Sequence, residues 1–181
     1  MKKIVVIPVK NEEWILEKTL ACHSLWADHI IVADQNSTDS TSDICKNFSK
    51  VVYIKNSEAS FNEGQRRQLL LDAARQFDGQ NLIFALDADE IVTADIMEEK
   101  VWESLLALIR PGMSVELPWI QLWRNPRVFR NDGSVWSKSL KPFVYWDDRT
   151  MSFGPGEIHL SRVPEAAARN AAVFDQINGL H

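Results

Sequence analysis

The sequence predicts an α/β fold: a mainly parallel central sheet with helices on both faces, followed by a smaller antiparallel C-terminal part. Short apolar runs alternate with helix-like segments four times in residues 1–112, which is typical of a parallel sheet covered on both sides. After Gly112 the runs become short and rich in tryptophan, with a turn signal at Asn131-Asp132-Gly133. The length of 181 residues favours one domain with a full-sized core.

The elements of the first half follow from its apolar runs and caps. Lys3–Val9 is predicted to be a buried strand, and Asn11 to cap the helix that follows it. Apolar runs at 29–33, 51–54 and 82–86 predict three more strands, each preceded by a helix. Asn62 is the predicted cap of the third helix, and Thr93 that of a fourth, which ends before Pro111.

The second half, residues 113–181, is predicted to complete the same domain with antiparallel strands and a last helix. Pro164 suits the first turn of that helix, and the alanines after it extend the prediction to about Ile177.

The bulk properties exclude several classes of protein. The net charge of −5, without a basic run, argues against nucleic acid as the main partner. The apolar stretch Ile4–Val9 is too short for an export signal or a membrane span. Cys22 and Cys45 lack metal-ligand spacing and are interpreted as reduced thiols. We therefore expect a cytoplasmic protein without a transmembrane segment. Peripheral association with the inner face of a membrane is compatible with this expectation.

An acidic cluster follows the fourth predicted strand. The apolar run Leu82–Leu86 leads directly into Asp87, Asp89 and Glu90. Ligands of open α/β sheets bind where the strands' carboxyl ends emerge. Carboxylates at such a place repel one another unless a cation or proton lies between them. The cluster therefore predicts a site for Mn²⁺ or Mg²⁺ that shares the ion with substrate phosphates.

The absence of early glycines limits how phosphates are bound. Gly64 is the first glycine, so neither a dinucleotide-binding Gly-x-Gly-x-x-Gly nor a Walker loop follows the first strand. The charge of a nucleotide diphosphate would then be met by a metal ion and side chains.

Three motifs, each at a predicted strand end, carry a resemblance to a known family. They are the segments Ile7–Glu13, Ile31–Thr41 and Asp87–Glu90. In order and spacing they resemble family 2 glycosyltransferases of the GT-A fold, in the nucleotide-diphospho-sugar transferase superfamily, over about residues 3–110. The resemblance implies that residues 1–112 bind a nucleotide sugar and that residues 113–181 form the acceptor side.

The resemblance also implies roles for individual residues. Asp34 would accept a hydrogen bond from the base, which favours a UDP- or dTDP-sugar, although Gln35 and Asn36 replace the family's usual Asp and Gly. Asp89 would be the main metal ligand, with His159 as a further metal or diphosphate contact. The implied nucleotide-binding residues are Pro8, Val9, Glu12, Asp34, Arg66 and Asp87.

An inverting transfer to a hydroxyl acceptor needs a carboxylate base. Such a base normally lies well after the Asp-x-Asp motif, which makes Glu157 the first candidate and Asp148 the second. The acceptor itself, whether glycan, lipid-linked saccharide or protein, is not specified by the sequence.

Other functions remain open at this point. One alternative is a catalytically inactive module that binds a nucleotide sugar or carbohydrate. Asp87-Ala88-Asp89 after an apolar strand is also typical of aspartyl-nucleophile phosphatases, although those place the motif on the first strand. A nucleotidyltransferase is a third candidate, without the Gly-rich start of that fold.

Overall fold

A computed structural model describes residues 1–57, 61–134, 137, 139–156 and 160–181. The strands are β1 (Lys2–Val9), β2 (His29–Asp34), β3 (Val51–Lys55), β4 (Asn81–Ala85), β5 (Ile91–Val92), β6 (Ser114–Ile120), β7 (Leu122–Trp123), β8 (Asn125–Phe129), β9 (Ser139–Asp147), β10 (Ala171–Val173) and β11 (Gly179–Leu180). The α-helices are α1 (Leu16–Ser24), α2 (Thr41–Lys46), α3 (Glu63–Ala74), α4 (Glu99–Leu108) and α5 (Glu165–Ala168), and a 3₁₀ helix spans Ala94–Met97.

The first four strands form a parallel sheet in the order β3-β2-β1-β4. The register pairs Val9 with Asp34 and Asp34 with Lys55, so the carboxyl ends of β1, β2 and β3 are level. We call the side of the sheet where these strands end the carboxyl edge. Loops that leave it are well placed to hold a ligand.

The second half of the chain extends this sheet with mixed pairing. β9 runs antiparallel to β4 on one side and to β6 on the other, so β6 points in the same direction as β4. β10 and β11 pair in parallel with β6, and β5 pairs antiparallel with β11. The prediction of an α/β fold with a mainly parallel sheet and a smaller antiparallel part is confirmed in outline, with parallel pairs also in the second half.

Alternate residues of β1 separate two hydrophobic clusters. Val5, Ile7 and Val9 pack in the larger cluster, with apolar side chains of α1 and α4. Ile4 and Val6 pack in the smaller one, with apolar side chains of α3. All five are at most 4% exposed, as expected for a central strand covered on both faces. Among the described residues no helix combines the length and the apolarity needed to cross a bilayer.

Three predicted helix boundaries are wrong. Thr93 does not cap α4: it precedes the 3₁₀ helix Ala94–Met97, and α4 begins at Glu99 after Glu98. Asn11 does not cap α1: its φ is 56°, and α1 begins at Leu16 after Ile15. The predicted last helix from Pro164 to about Ile177 is only the four residues of α5. Residues 171–173 form β10 instead, because the unpaired main chain of β6 offers hydrogen bonds that override the helix propensity of alanine.

Candidate active site

The carboxyl edge brings together most of the predicted site residues. Pro8 and Val9 end β1, and Asp34 ends β2. Asp87 and Asp89 follow β4, which lies next to β1. The sequence-predicted nucleotide and metal residues in these strands therefore share one side of the sheet, while their contacts to a ligand stay predictions.

The loops after β1 and β2 are fixed to each other by Asn11. Its main-chain N–H donates to Ser37 Oγ at 2.8 Å, and its side-chain Oδ1 accepts from the main-chain N–H of Thr38 at 2.8 Å. The positive φ of Asn11 is tolerated by asparagine better than by most residues. These bonds hold the backbone beside Val9 and Glu12, where the sequence places the nucleotide.

Glu12 lies in the same acidic environment as the cluster after β4. Its carboxylate accepts a hydrogen bond from Trp14 Nε1 at 2.9 Å. Burial raises the pKa of Glu12, and the negative charges of Asp89, Asp39 and Asp87 raise it further. A cation bound among these carboxylates would relieve that repulsion.

Asp34 is buried, with 2% of its surface exposed. Its Oδ1 accepts from both the main-chain N–H and the hydroxyl of Ser37, at 2.9 and 2.5 Å. Its Oδ2 accepts from the Tyr53 hydroxyl at 2.6 Å. A carboxylate oxygen has two lone pairs, so Oδ2 keeps capacity for one more donor.

The turn Asp87–Glu90 is held by an internal hydrogen bond and by an arginine that sequence reasoning missed. Glu90 is fully buried, and its Oε2 accepts from the main-chain N–H of Asp87 at 2.9 Å. Arg162 Nη2 donates to Asp87 Oδ2 and to Glu90 Oε1, both at 2.9 Å, and Nη1 also bonds Glu90 Oε2. Trp119 Nε1 donates to Glu90 Oε1 at 3.2 Å. Part of the cluster's repulsion is therefore relieved by a protein cation, and Glu90 has a structural role.

Asp89 points instead toward His181, a second residue that sequence reasoning missed. His181 Nε2 and Asp89 Oδ2 lie 3.1 Å apart. This hydrogen bond lowers the pKa of Asp89 and raises the pKa of His181. No sequence signal marks His181, because its proximity depends on the pairing of β11 with β6 and β5.

The side chains around Asp89 fit a metal ion only if a substrate supplies further ligands to that ion. Among the described residues no group of three or more His, Cys, Asp or Glu side chains is arranged to hold a metal. Asp89 supplies a carboxylate ligand, and His181 supplies an imidazole nitrogen once the metal displaces the proton that it shares with Asp89. Mg²⁺ is commonly bound through one or two carboxylates together with substrate phosphates, and imidazole also suits transition metals. The pair therefore fits a cation shared with a nucleotide diphosphate.

Arg66 stands on the first turn of α3, at the carboxyl edge. Its guanidinium lies 4.8 Å from the centre of the Phe61 ring. Its Nε is buried and has no hydrogen-bond partner among the described residues. Burial lowers the pKa of Arg66, with the nearby Arg67 adding to the effect. A buried donor without a partner is costly, and an anionic ligand would satisfy it.

Of the two candidate catalytic bases, Asp148 lies within the described residues and Glu157 does not. Asp148 lies away from the carboxyl edge: Asp147 pairs with Asn81 at the amino end of β4, whereas Asp87 follows the carboxyl end of that strand. A strand of that length separates the two by roughly 15 Å. Glu157 and the metal candidate His159 lie outside the described residues. Their flanks contact α3, since the Gly64 N–H donates to Gly156 O and the Leu160 N–H donates to Glu63 Oε2, both at 3.1 Å.

Together the fold and the site define an α/β protein that gathers carboxylates, two arginines and a histidine at the carboxyl edge of its sheet. The model of the family described as "Glycosyl transferase family 2" matches residues 4–141, well over half of the chain. The chain belongs to this family, so the family predicted from the three motifs is confirmed. No curated protein matches the sequence.

Solved structures extend the likeness of the fold to the whole chain. An inositol-1-phosphate CTP transferase from T. maritima is 9% identical, with a TM-score of 0.56 over 100% of this chain and 89% of its own. A putative glucose-1-phosphate thymidylyltransferase from Bacillus anthracis is 11% identical, with a TM-score of 0.55 over 97% of this chain and 86% of its own. A glucosyl-3-phosphoglycerate synthase from Mycobacterium tuberculosis is 19% identical, with a TM-score of 0.44 over 70% of this chain, which spans only 45% of that synthase. At such identities the likeness concerns the fold alone.

Proposed function

We propose that this protein transfers a sugar from a UDP- or dTDP-sugar to a hydroxyl group of an acceptor, with inversion and with Mn²⁺ or Mg²⁺ at Asp89. Family membership supports the reaction class. The observation that carries the site is the position of Asp89. It is the one member of the turn Asp87–Glu90 whose carboxylate bonds His181, whereas Arg162 binds the two other acids.

Binding of the base is assigned to the ends of β1 and β2. Pro8 and Val9 would form one wall, since they end β1 directly before the loop fixed by Asn11. Tyr53 is the donor to Asp34 Oδ2 among the described residues, so the second lone pair of this oxygen would accept the ring N–H of uracil or thymine. Cytosine has no N–H at that ring position, so the proposal favours UDP and dTDP donors.

Binding of the diphosphate is assigned to Arg66 and the residues around Asp89. The Nε of Arg66, which has no hydrogen-bond partner in the described part of the chain, would donate to a phosphate oxygen. A divalent cation held by Asp89 and His181 would supply the positive charge that a departing diphosphate needs. Asp87 keeps part of its carboxylate exposed beside Arg162 and would contact the ribose.

The transfer step needs a base on the acceptor side. Glu157 remains the proposed base: it would take the proton of the acceptor hydroxyl while that oxygen bonds the anomeric carbon. The bond from the anomeric carbon to the diphosphate oxygen breaks, and the nucleoside diphosphate leaves with the electron pair. Attack opposite to the leaving group inverts the anomeric centre.

Two alternative functions can be distinguished from this proposal by the products that each would release. A nucleotidyltransferase would release inorganic diphosphate from a nucleoside triphosphate, and the solved structures share its fold. A catalytically inactive module would bind the nucleotide sugar without turnover. The aspartyl-nucleophile phosphatase loses support, because the chain belongs to a transferase family and Asp87 is paired with Arg162.

The test is incubation with a panel of UDP- and dTDP-sugars, with and without Mn²⁺, using water or simple glycosides as acceptors. Release of UDP or dTDP that requires Mn²⁺, and that falls at least about tenfold in Asp89→Asn, supports the proposal. Asp43→Asn is the matched control, because Asp43 is an exposed carboxylate on α2. Release of inorganic phosphate in place of UDP or dTDP would contradict a sugar transferase, as would release of inorganic diphosphate when a nucleoside triphosphate and a sugar 1-phosphate replace the panel. Tight binding without any turnover would favour the inactive module.

A further inference from the structure

A short antiparallel hairpin concentrates arginines on an otherwise acidic protein. We call residues 122–130, which contain β7 and β8, the arginine hairpin. It contains Arg124, Arg127 and Arg130 and no acidic residue, whereas the whole chain has a net charge of −5. Arg130 pairs with Asp132, whereas Arg124 and Arg127 are exposed and form no ion pair with a described residue. Within the described part of the chain, these two arginines therefore present unpaired positive charge to solvent.

The same hairpin exposes large apolar side chains. Trp123 is 51% exposed and Phe129 is 58% exposed, with Val128 exposed between the arginines. The Arg124 guanidinium lies 5.9 Å from the centre of the Trp123 ring. Tryptophan and phenylalanine beside arginine are typical of segments at a lipid–water interface, where the rings enter the headgroup layer and the cations meet phosphates.

The hairpin stands beside the candidate active site. β6 ends at the carboxyl edge, and the main-chain N–H of Leu122 directly after it donates to His181 O at 2.7 Å. A groove of about 680 Å³ is lined by Asp89 and His181 together with Leu122 and Arg124 of the hairpin. A surface that held the hairpin would therefore face the opening of the site.

We propose that the arginine hairpin docks the carboxyl edge onto an anionic lipid surface. Lipid fits better than nucleic acid because Val128 lies exposed beside the rings, and an aliphatic side chain gains by entering a lipid–water interface but has no ring to stack on a base. Lipid also fits better than a protein groove, because the exposed rings and arginines alternate within a few residues. This part of the inference rests on the proposed function: the docked protein would receive an acceptor from the plane of the membrane through the groove beside Asp89.

The experiment is co-flotation of the protein with vesicles of phosphatidylcholine, with and without phosphatidylglycerol. The proposal expects binding only to vesicles that contain phosphatidylglycerol, with loss of binding as NaCl is raised to about 0.5 M, where exposed charges are screened. Arg127→Glu should lower the partition coefficient by about tenfold or more, since each basic residue near an anionic surface contributes strongly. Trp123→Ser with Phe129→Ser should lower it as well.

Two matched controls make the result specific. Lys46→Glu reverses an exposed charge on α2, at the far end of the sheet order, and should leave the partition within about twofold. Leu25→Ser removes a side chain that is 72% exposed and should have no effect. Circular dichroism confirms that each variant is folded. Absence of binding by the folded wild type, or equal losses in Arg127→Glu and Lys46→Glu, would overturn the proposal.

Discussion

Arg162 and Glu90 form a buried ion pair that links the segment after β9 to the turn after β4. Arg162 Nη2 lies 2.9 Å from Glu90 Oε1, and its guanidinium also lies 5.1 Å from the centre of the Phe143 ring. Because Glu90 also accepts from the main-chain N–H of Asp87, this pair fixes the shape of the turn that carries Asp89. The geometry of the proposed metal ligand thus depends on a residue more than seventy positions away.

Replacing Arg162 should destabilise the protein strongly. Arg162→Met leaves the fully buried Glu90 without its cation, so we expect a loss of about 3–5 kcal/mol in the free energy of unfolding. Arg162→Lys should lose less, because a lysine keeps the charge but cannot bond Asp87 and Glu90 as a fork. Urea unfolding measures both. The double variant Arg162→Met with Glu90→Gln should recover part of the loss, and no recovery would contradict a pairwise origin.

Gly64 should not tolerate a side chain. A Cβ at this position in α3 would lie 2.4 Å from the main-chain oxygen of Gly154 and 3.1 Å from Leu160 Cδ1. We expect Gly64→Ala to cost about 1–3 kcal/mol, because the segment that carries Gly154 must move away from the helix. The exposed Gln65 on the same turn is the control, and Gln65→Ala should change stability by less than about 0.5 kcal/mol. Similar unfolding midpoints for the two variants would refute the close packing.

Acid should destabilise the protein through His23. Burial lowers the pKa of His23 to about 4, and its Nε2 lies 3.1 Å from Glu90 O. Between pH 6.5 and 4 the unfolded chain binds a proton that the folded chain does not, so stability falls as the pH falls through this window, by at most about 3 kcal/mol. Above pH 6.5 the residue contributes no pH dependence.

The check is urea unfolding at several pH values for the wild type and for His23→Gln, which keeps a donor for Glu90 O. The variant should lose less stability than the wild type between pH 6.5 and 4. Parallel curves would show that His23 does not titrate as its burial requires.

Asp34 should set both local stability and the choice of base. Tyr53→Phe removes one hydrogen bond to Asp34 and should cost about 1 kcal/mol, with the preference for UDP unchanged. Asp34→Ala should weaken UDP binding and reduce its advantage over other nucleotides. Calorimetric titration with UDP, dTDP and GDP measures the preference. If Asp34→Ala keeps the wild-type preference, Asp34 does not read the base.

Local patterns predicted the first half of the fold well. Asn62 was predictable as a cap, and its Oδ1 indeed accepts from the main-chain N–H of Gln65 at 2.9 Å. The β-strands before the site were predictable because each apolar run ends at a cluster of polar residues. Asn11 was misassigned because its side chain bonds Thr38 on the next loop, a contact between segments that the local sequence does not encode.

The second half was less predictable because its contacts span long stretches of the chain. Arg162 and His181 reach the turn Asp87–Glu90 only after β9, β6 and β11 have assembled. The alanines after Pro164 favour a helix locally, yet β6 takes residues 171–173 as a strand. Asp148 was a reasonable base by its sequence position, but the antiparallel direction of β9 places it away from the site.

The most direct test of the central claim is the metal dependence of nucleotide binding at Asp89. Isothermal titration of UDP with and without Mn²⁺ is compared for the wild type, Asp89→Ala and the control Asp43→Ala. The account predicts that Mn²⁺ strengthens UDP binding to the wild type and the control, and that Asp89→Ala binds at least about tenfold more weakly, or about 1.4 kcal/mol. Equal binding by Asp89→Ala and the wild type in Mn²⁺ would contradict it.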